Sequence, residues 1–502
     1  DRTTTPRQET LLSTIEWSHD LLGADERTLF RRLGVFADDF ALEAAEGTCA
    51  DADLDELDVL DLLAALVDKS MVTTEQGTDG ATRYNLLESI REFAQGRLDA
   101  SGETESQRER HAEHFARSAK QLQSKQRAGD LAEALRILDA DEAEFRSALR
   151  FTTDTHRHEL AGRIIGGLGY LWYAAGLFRE GTDWCRLLLD DGPELSDEVR
   201  ADVLHSYASV VSGAGDPEIA SDLATEQVAI RRRLGDSSRL AAALNNLGNY
   251  LFDIGRIEAA RSALDEAAEL YDELGDTATL ALVNCTLGFG EMIEGCYDDA
   301  EATFREALRH ARAADHPMST AVSMSGLGQA LAYAGRGADA RPHLVESHER
   351  FAELSVQPGV IMTDTMLGLV ARDTGERVTA GRHWLSALNV DGQPWFEEDW
   401  YSILQYVASI LDDPHTAAML VGAASAAYER SRLHQVAYVL DDLADTRIRL
   451  ETQLGPDEFG TRSRAGARRS ETEAIAIGIA ALEGFLETAD PSSESKESAH
   501  VE

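Results

Sequence analysis

Residues 244–267 read LNNLGNYLFDIGRIEAARSALDEA, and the stretch returns in step as VNCTLGFGEMIEGCYDDAEATFREA over 283–307 and MSGLGQALAYAGRGADARPHLVES over 324–347. Leu247-Gly248, Leu287-Gly288, Leu327-Gly328 and Leu367-Gly368 recur at a spacing of forty. Gly215, Gly255, Gly295, Gly335 and Gly375 keep the same period, as do Ala220, Ala260, Ala300, Ala340 and Ala380. Leu264, Phe304, Leu344 and Trp384 form a further column, followed by Ala267, Ala307 and Ala387. Each column has a physical use. A small residue such as Gly248 lets a neighbouring helix approach, and Gly255 ends that helix where the chain must reverse through a left-handed residue. Ala260 and Leu264 stand one turn apart on the next helix and pack back on the first. The unit is a helical hairpin, repeated about six times from a degenerate copy at Leu168, Gly169 and Gly176, through Tyr207 and Ala208, to Trp384 and Ala387.

This pattern resembles the tetratricopeptide repeat (TPR) in a form with long helices. By that resemblance the groove-facing positions of the first helices are His205, Ser209, Asn245, Asn249, Phe289, Met292, Gln329, Tyr333, Met362 and Thr365. They are neutral, aromatic or sulfur-containing, which suits an apolar or amphipathic protein or peptide partner; the competing reading buries them between neighbouring helices. Positions where Lys or Arg would complete a clamp for a terminal carboxylate hold Ala242, Cys285 and Thr286.

Residues 10–99 follow another rule. ETLLSTIEWSHDLL, ERTLFRRLGVF, ALEAAEGTC and LDVLDLLAALVDKS read as short helices. MVTTE, the turn QGTDG and TRYNLL read as two strands, and ESIREFAQGRL as a closing helix. Helices plus a hairpin make a winged helix. EWSHDLL, LFRRLGVF, LLAALVDKSMV and RYNLLESIREFAQGRL, in that order, resemble the winged-helix module of NB-ARC or STAND signal-transducing ATPases and of multidomain bacterial transcriptional regulators. HAEHFARSAKQ and LDADEAEFRSALRF are similar to the helical connector that leads such proteins into their TPR arms. The resulting expectation is a mostly α chain, a small winged-helix domain followed by a TPR-like α-solenoid. Residues 1–9 would be a linker from an upstream domain, 10–99 the winged helix, 100–158 the connector, 159–390 the array, 391–487 capping helices and 488–502 a disordered tail.

The resemblance implies an NTPase core upstream, and residues 1–502 do not supply one. A P-loop ends in Gly-Lys-Ser/Thr, whereas Lys69, Lys120, Lys125 and Lys496 follow Asp68, Ala119, Ser124 and Ser495. ATP or ADP would therefore need that further domain, and no cofactor is expected in this chain. In eukaryotic relatives a His-Asp pair after the wing carries a His that contacts the ADP phosphate; Leu87 and Glu88 stand there, with Leu87 reading as core.

Charge narrows the partners. Ninety acidic residues against 47 basic ones leave a net charge of -43 over 502 residues, so nucleic acid and anionic membranes are repelled. The helix before the wing carries Asp55, Glu56, Asp58, Asp61 and Asp68, and the wing offers only Arg83, which argues against direct DNA reading. His111 and His114 lie one turn apart but lack HExxH, so a solvent-facing helix surface is the reading, without a metal; His156 and His158 read as linker residues. Cys49, Cys185, Cys285 and Cys296 show no CxxC spacing and read as free thiols in a reducing cytoplasm, and no apolar run reaches membrane-spanning length. With no catalytic constellation, the expected function is the non-catalytic regulatory arm of a STAND-type regulator, its array binding a protein partner or its own ATPase core. The alternative is a stand-alone TPR scaffold.

Overall fold

The computed structural model describes residues 6–77, 81–127, 129–190, 194–354, 356–389, 397–431 and 436–489. The fold is mostly α, a winged helix followed by a TPR-type α-solenoid, and it divides into two compact units at Val210/Val211, within the helix Asp197–Gly213.

In the first unit the helices Pro6–Asp20, Ala24–Leu33, Leu42–Cys49 and Glu56–Asp68 precede the wing, and Glu88–Ser101 follows it. The first begins inside the stretch read as linker; residues 1–5 lie outside the described residues, as do wing-turn residues 78–80. The wing has a strand that the sequence did not announce. β1 (Phe40–Ala41), β2 (Thr73–Gln76) and β3 (Thr82–Asn85) form an antiparallel sheet of order β1-β3-β2, with Tyr84 opposite both Phe40 and Thr74. Two residues are too few for an alternating pattern; what holds β1 is Phe40, fully buried and stacked on Phe36 at 4.2 Å. Asp55 caps the helix Glu56–Asp68 by accepting from the Leu57 amide at 3.0 Å. Val59, Leu63 and Leu66 turn that helix into the core with Leu29, Phe30 and Leu33. The connector helices Thr104–Arg127, Leu131–Ala140 and Glu142–Asp154 lead to the hairpin His158–Ala174 and Phe178–Asp190.

The second unit shows why the forty-residue columns travel together. Its hairpins are Ser237–Asp253 with Ile257–Leu274, Thr277–Ile293 with Tyr297–Ala313, Pro317–Tyr333 with Gly337–Glu353, and Gln357–Asp373 with Arg377–Leu388. In each, the large column residue of the second helix fills the space over the glycine sixteen positions earlier. A Cβ on Gly248 would fall 2.5 Å from Leu264, on Gly288 2.8 Å from Phe304, on Gly328 2.6 Å from Leu344 and on Gly368 2.3 Å from Trp384. The glycine and the large residue are two halves of one contact, so they recur at one period. The turn glycines are also as read, with Gly295 at φ 76° and Gly335 at φ 73°.

Beyond the repeats come Glu397–Ile410, Pro414–Ser431, Ala437–Leu454, Pro456–Ala467 and Glu471–Ala489. The second-last holds two glycines and reads poorly as a helix. It exists because Gly466 and Gly422 let two backbones touch: a Cβ on Gly466 would sit 1.9 Å from the Met419 carbonyl oxygen, and one on Gly422 2.0 Å from that of Ser463. The disordered tail expected from 488 falls, from 490 onward, outside the described residues.

Candidate functional site

The ten groove positions fall in both units. In the first, His205 is half-buried, and Ser209 is buried with its hydroxyl donating to the His205 carbonyl at 2.9 Å. In the second, Asn245, Asn249, Phe289, Tyr333 and Met362 are half-buried, while Met292, Gln329 and Thr365 are buried. Buried members serve helix–helix contacts. Gln329 Nε2 lies 3.4 Å from Met362 Sδ on the next first helix, while its bond to Ser325 Oγ at 3.2 Å and that of Thr365 Oγ1 to the Ile361 carbonyl stay within their own helices. Thr286 Oγ1 donates to Asn245 Oδ1 at 3.3 Å, joining successive first helices. Phe289 meets Phe304 edge-on at 5.1 Å, anchored but half-open.

One end of this face is covered by the chain itself, which no pattern in the sequence announced. Tyr438 stacks on Tyr333 with ring centroids 4.9 Å apart, its amide donates to the Tyr297 hydroxyl at 3.1 Å, and its own hydroxyl reaches Asp373 at 2.9 Å. Arg372 pairs with Asp442 at 2.7 Å, and Gln405 Nε2 donates to the Val439 carbonyl at 2.8 Å. Burial pushes the Tyr333 hydroxyl up to about 12. Tyr333 is thus committed to an internal contact, and in the second unit Asn245, Asn249, Phe289 and Met362 remain half-open.

His111 and His114 are not on a solvent-facing surface. His111 is buried, with Nε2 2.7 Å from Glu144 Oε2; the other oxygen of Glu144 accepts the backbone amides of Ala37 and Asp38 at 2.8 and 2.7 Å. Helical spacing could not reveal this, because Glu144 reaches His111 from 33 residues away and itself takes amides 106 and 107 residues away. Arg83 is equally occupied. It is buried, donates to Asp141 at 2.8 Å and pairs with Asp39, so the wing's arginine ties wing to connector. Among the described residues no three side chains of metal-binding type converge. Cys49, Cys185 and Cys285 are buried thiols and Cys296 an exposed one. Leu87, read as core, is 57% exposed: it stands at the N-terminal cap position of Glu88–Ser101, without a side-chain capping bond.

His114 packs so closely on Gly47 that a Cβ there would meet its Nδ1 at 2.2 Å. Burial, then the charge of Arg117, lowers its pKa from 6.5 to about 4. Because the folded value lies below the unfolded one, the unfolded chain binds the proton more readily. The stabilisation is therefore complete above pH 6.5 and is lost as pH falls from there toward 4. Urea unfolding across that window should show a loss on the order of 2–3 kcal/mol, flattened in His114→Leu.

Comparison with known proteins places these parts. The winged helix-turn-helix domain profile matches residues 22–99, and the tetratricopeptide repeat profile matches 199–273 and 276–353. The chain carries a winged helix and TPR repeats. A Mycobacterium tuberculosis (H37Rv) protein provisionally named an HTH-type transcriptional regulator is 32% identical over 300 residues, 58% of this chain and 33% of its own length. An uncharacterised protein of the same organism is 39% identical over 109 residues, 22% of this chain and 28% of its own length. The chain thus spans about a third of the length of these curated relatives. Among solved structures, the Signal Transduction ATPase with Numerous Domains (STAND) protein with a tetratricopeptide repeat sensor from Pyrococcus horikoshii aligns with TM-score 0.45 and 13% identity, over 93% of this chain and 68% of that one. No helix among the described residues is long and apolar enough to cross a membrane.

Proposed function

We propose that the chain is a non-catalytic regulatory and sensor arm of a larger STAND-type signalling or transcription regulator, and that its array receives a protein or peptide on the first-helix face. The observation that carries this reading is a local exception in charge. In a chain of net charge -43, the half-open positions of that face in the second unit are Asn245, Asn249, Phe289 and Met362, all neutral. An amphipathic helix, or an apolar surface of the regulator's own ATPase core, is the occupant such a face suits. The similarity over 58% of the chain to a protein named as a transcriptional regulator supports the same placement.

In this reading nucleotide chemistry belongs to a domain outside residues 1–502. The exposed Leu87 has no hydrogen to donate to a phosphate, and no Gly-Lys pair exists to form a P-loop. Calorimetric titration of the chain with ATP and ADP, with magnesium, should give no saturable heat. Saturable micromolar binding would remove the division of labour on which the proposal rests.

A further inference from the structure

The helix Glu56–Asp68, which precedes the wing, carries an outward stripe unlike its inward one. Leu57, Leu60, Asp61, Ala64 and Asp68 follow one another at helical spacing, and all are exposed. Leu57 is 85% exposed and Leu60 47%, while Val59, Leu63 and Leu66 on the opposite side are fully buried. Single exposed leucines are ordinary; two on adjacent turns of one face, set among Glu56, Asp58 and Asp61, form an amphipathic surface with acidic flanks. Glu43 and Glu46 of the neighbouring helix Leu42–Cys49 extend those flanks, and Glu46 is held above the usual carboxylate range by burial and by the charges of Glu43 and Glu56. Lys69, at the far end of the stripe, is held by Glu26 at 2.6 Å.

We propose that this stripe is a docking face for a basic amphipathic helix of a partner protein, with Leu57 and Leu60 taking its apolar side chains and Glu56, Asp58 and Asp61 its arginines or lysines. Charge decides between the possible macromolecules. A DNA backbone set against this helix would meet the carboxylates well within one Debye length, roughly 8 Å at physiological salt, and Arg83 of the wing is buried in ion pairs. A cationic helix gains from the same field. The stripe is formed by residues of the first unit and the half-open array positions by residues of the second, so either proposal can fail without the other.

The test uses the full chain and two fluorescent probes, a helix-forming Leu/Arg peptide of about 15 residues and a short duplex DNA. Wild type should bind the peptide in a salt-sensitive manner and leave the duplex unbound. The double substitution Leu57→Ser/Leu60→Ser should weaken peptide binding at least about tenfold, and Asp58→Lys/Asp61→Lys should do so while reducing the salt dependence. Leu274→Ser, at an exposed leucine of the second unit, should leave it unchanged. All four leucine and aspartate positions are exposed, so the fold does not depend on them. Peptide binding that is absent, or indifferent to both double substitutions, would overturn the proposal, as would duplex binding lost in Leu57→Ser/Leu60→Ser.

Discussion

Glu144→Ala is expected to lower the stability of the first unit by about 2–4 kcal/mol, the cost of removing a buried acceptor that serves several donors at about 1–3 kcal/mol for each group left unmet. Glu144 is 1% exposed and serves three donors at once: the amides of Ala37 and Asp38, from the segment between the first helices of the winged helix and β1, and the His111 ring. Alanine leaves the buried imidazole without its partner and removes the acceptor of two amides at the edge of the site, and an unmet buried polar group costs more than a made bond returns. Glu144→Gln retains an acceptor oxygen and should recover part of the loss. Hydrogen exchange, read by segment, is the suitable measurement, because a chain with two compact units need not unfold in one step. Faster exchange concentrated in residues 24–49 and 104–154 is the expected result. Unchanged exchange there would mean that Glu144 contributes nothing to holding the connector on the winged helix.

The second large effect is expected at Gly466, where Val should destabilise the C-terminal helices by about 3 kcal/mol or more, at the upper end for overpacking. The obstacle is backbone: the Met419 carbonyl oxygen stands 1.9 Å from where a Cβ would be placed, and no side-chain rotation relieves it. Gly422→Val should act alike from the other helix. By contrast Gly484→Val, with no atom within 4 Å of its Cβ position, should be nearly neutral. Thermal unfolding followed by circular dichroism would separate the three variants. Equal transitions for Gly466→Val and Gly484→Val would show that the helices Pro414–Ser431 and Pro456–Ala467 do not cross at their glycines.

These two sites mark the limit of what the sequence makes readable. The hairpins were legible because each repeats one local contact, Gly248 under Leu264 and its equivalents, at a fixed spacing. The winged helix was legible from ordered motifs, and β1 was not, since Phe40 acts through stacking on Phe36 and pairing with Tyr84. The candidate face of the array was legible only as positions. Which of them stay open depends on contacts distant in sequence, such as Tyr438 meeting Tyr297 and Tyr333, and no periodicity encodes a contact made once. The connector histidines failed for the same reason: His111 looks like a surface residue until Glu144 comes to it from 33 positions away.

The central claim, that the first-helix face of the array receives an apolar or amphipathic protein element, is tested most directly by peptide titration of the full chain. The probes are a neutral amphipathic helix, which the acidic winged-helix stripe has no charge to attract, and a peptide with an acidic C-terminal tail. The face lacks the Lys or Arg that a carboxylate needs, and Ala242, Cys285 and Thr286 stand in their places. The neutral helix should bind saturably, about tenfold more weakly to Phe289→Ala and less tightly to Asn249→Ala, with no change in Leu57→Ser/Leu60→Ser. The acidic peptide should be rejected. Tight binding of the acidic peptide, unaffected by Phe289→Ala, would contradict the account.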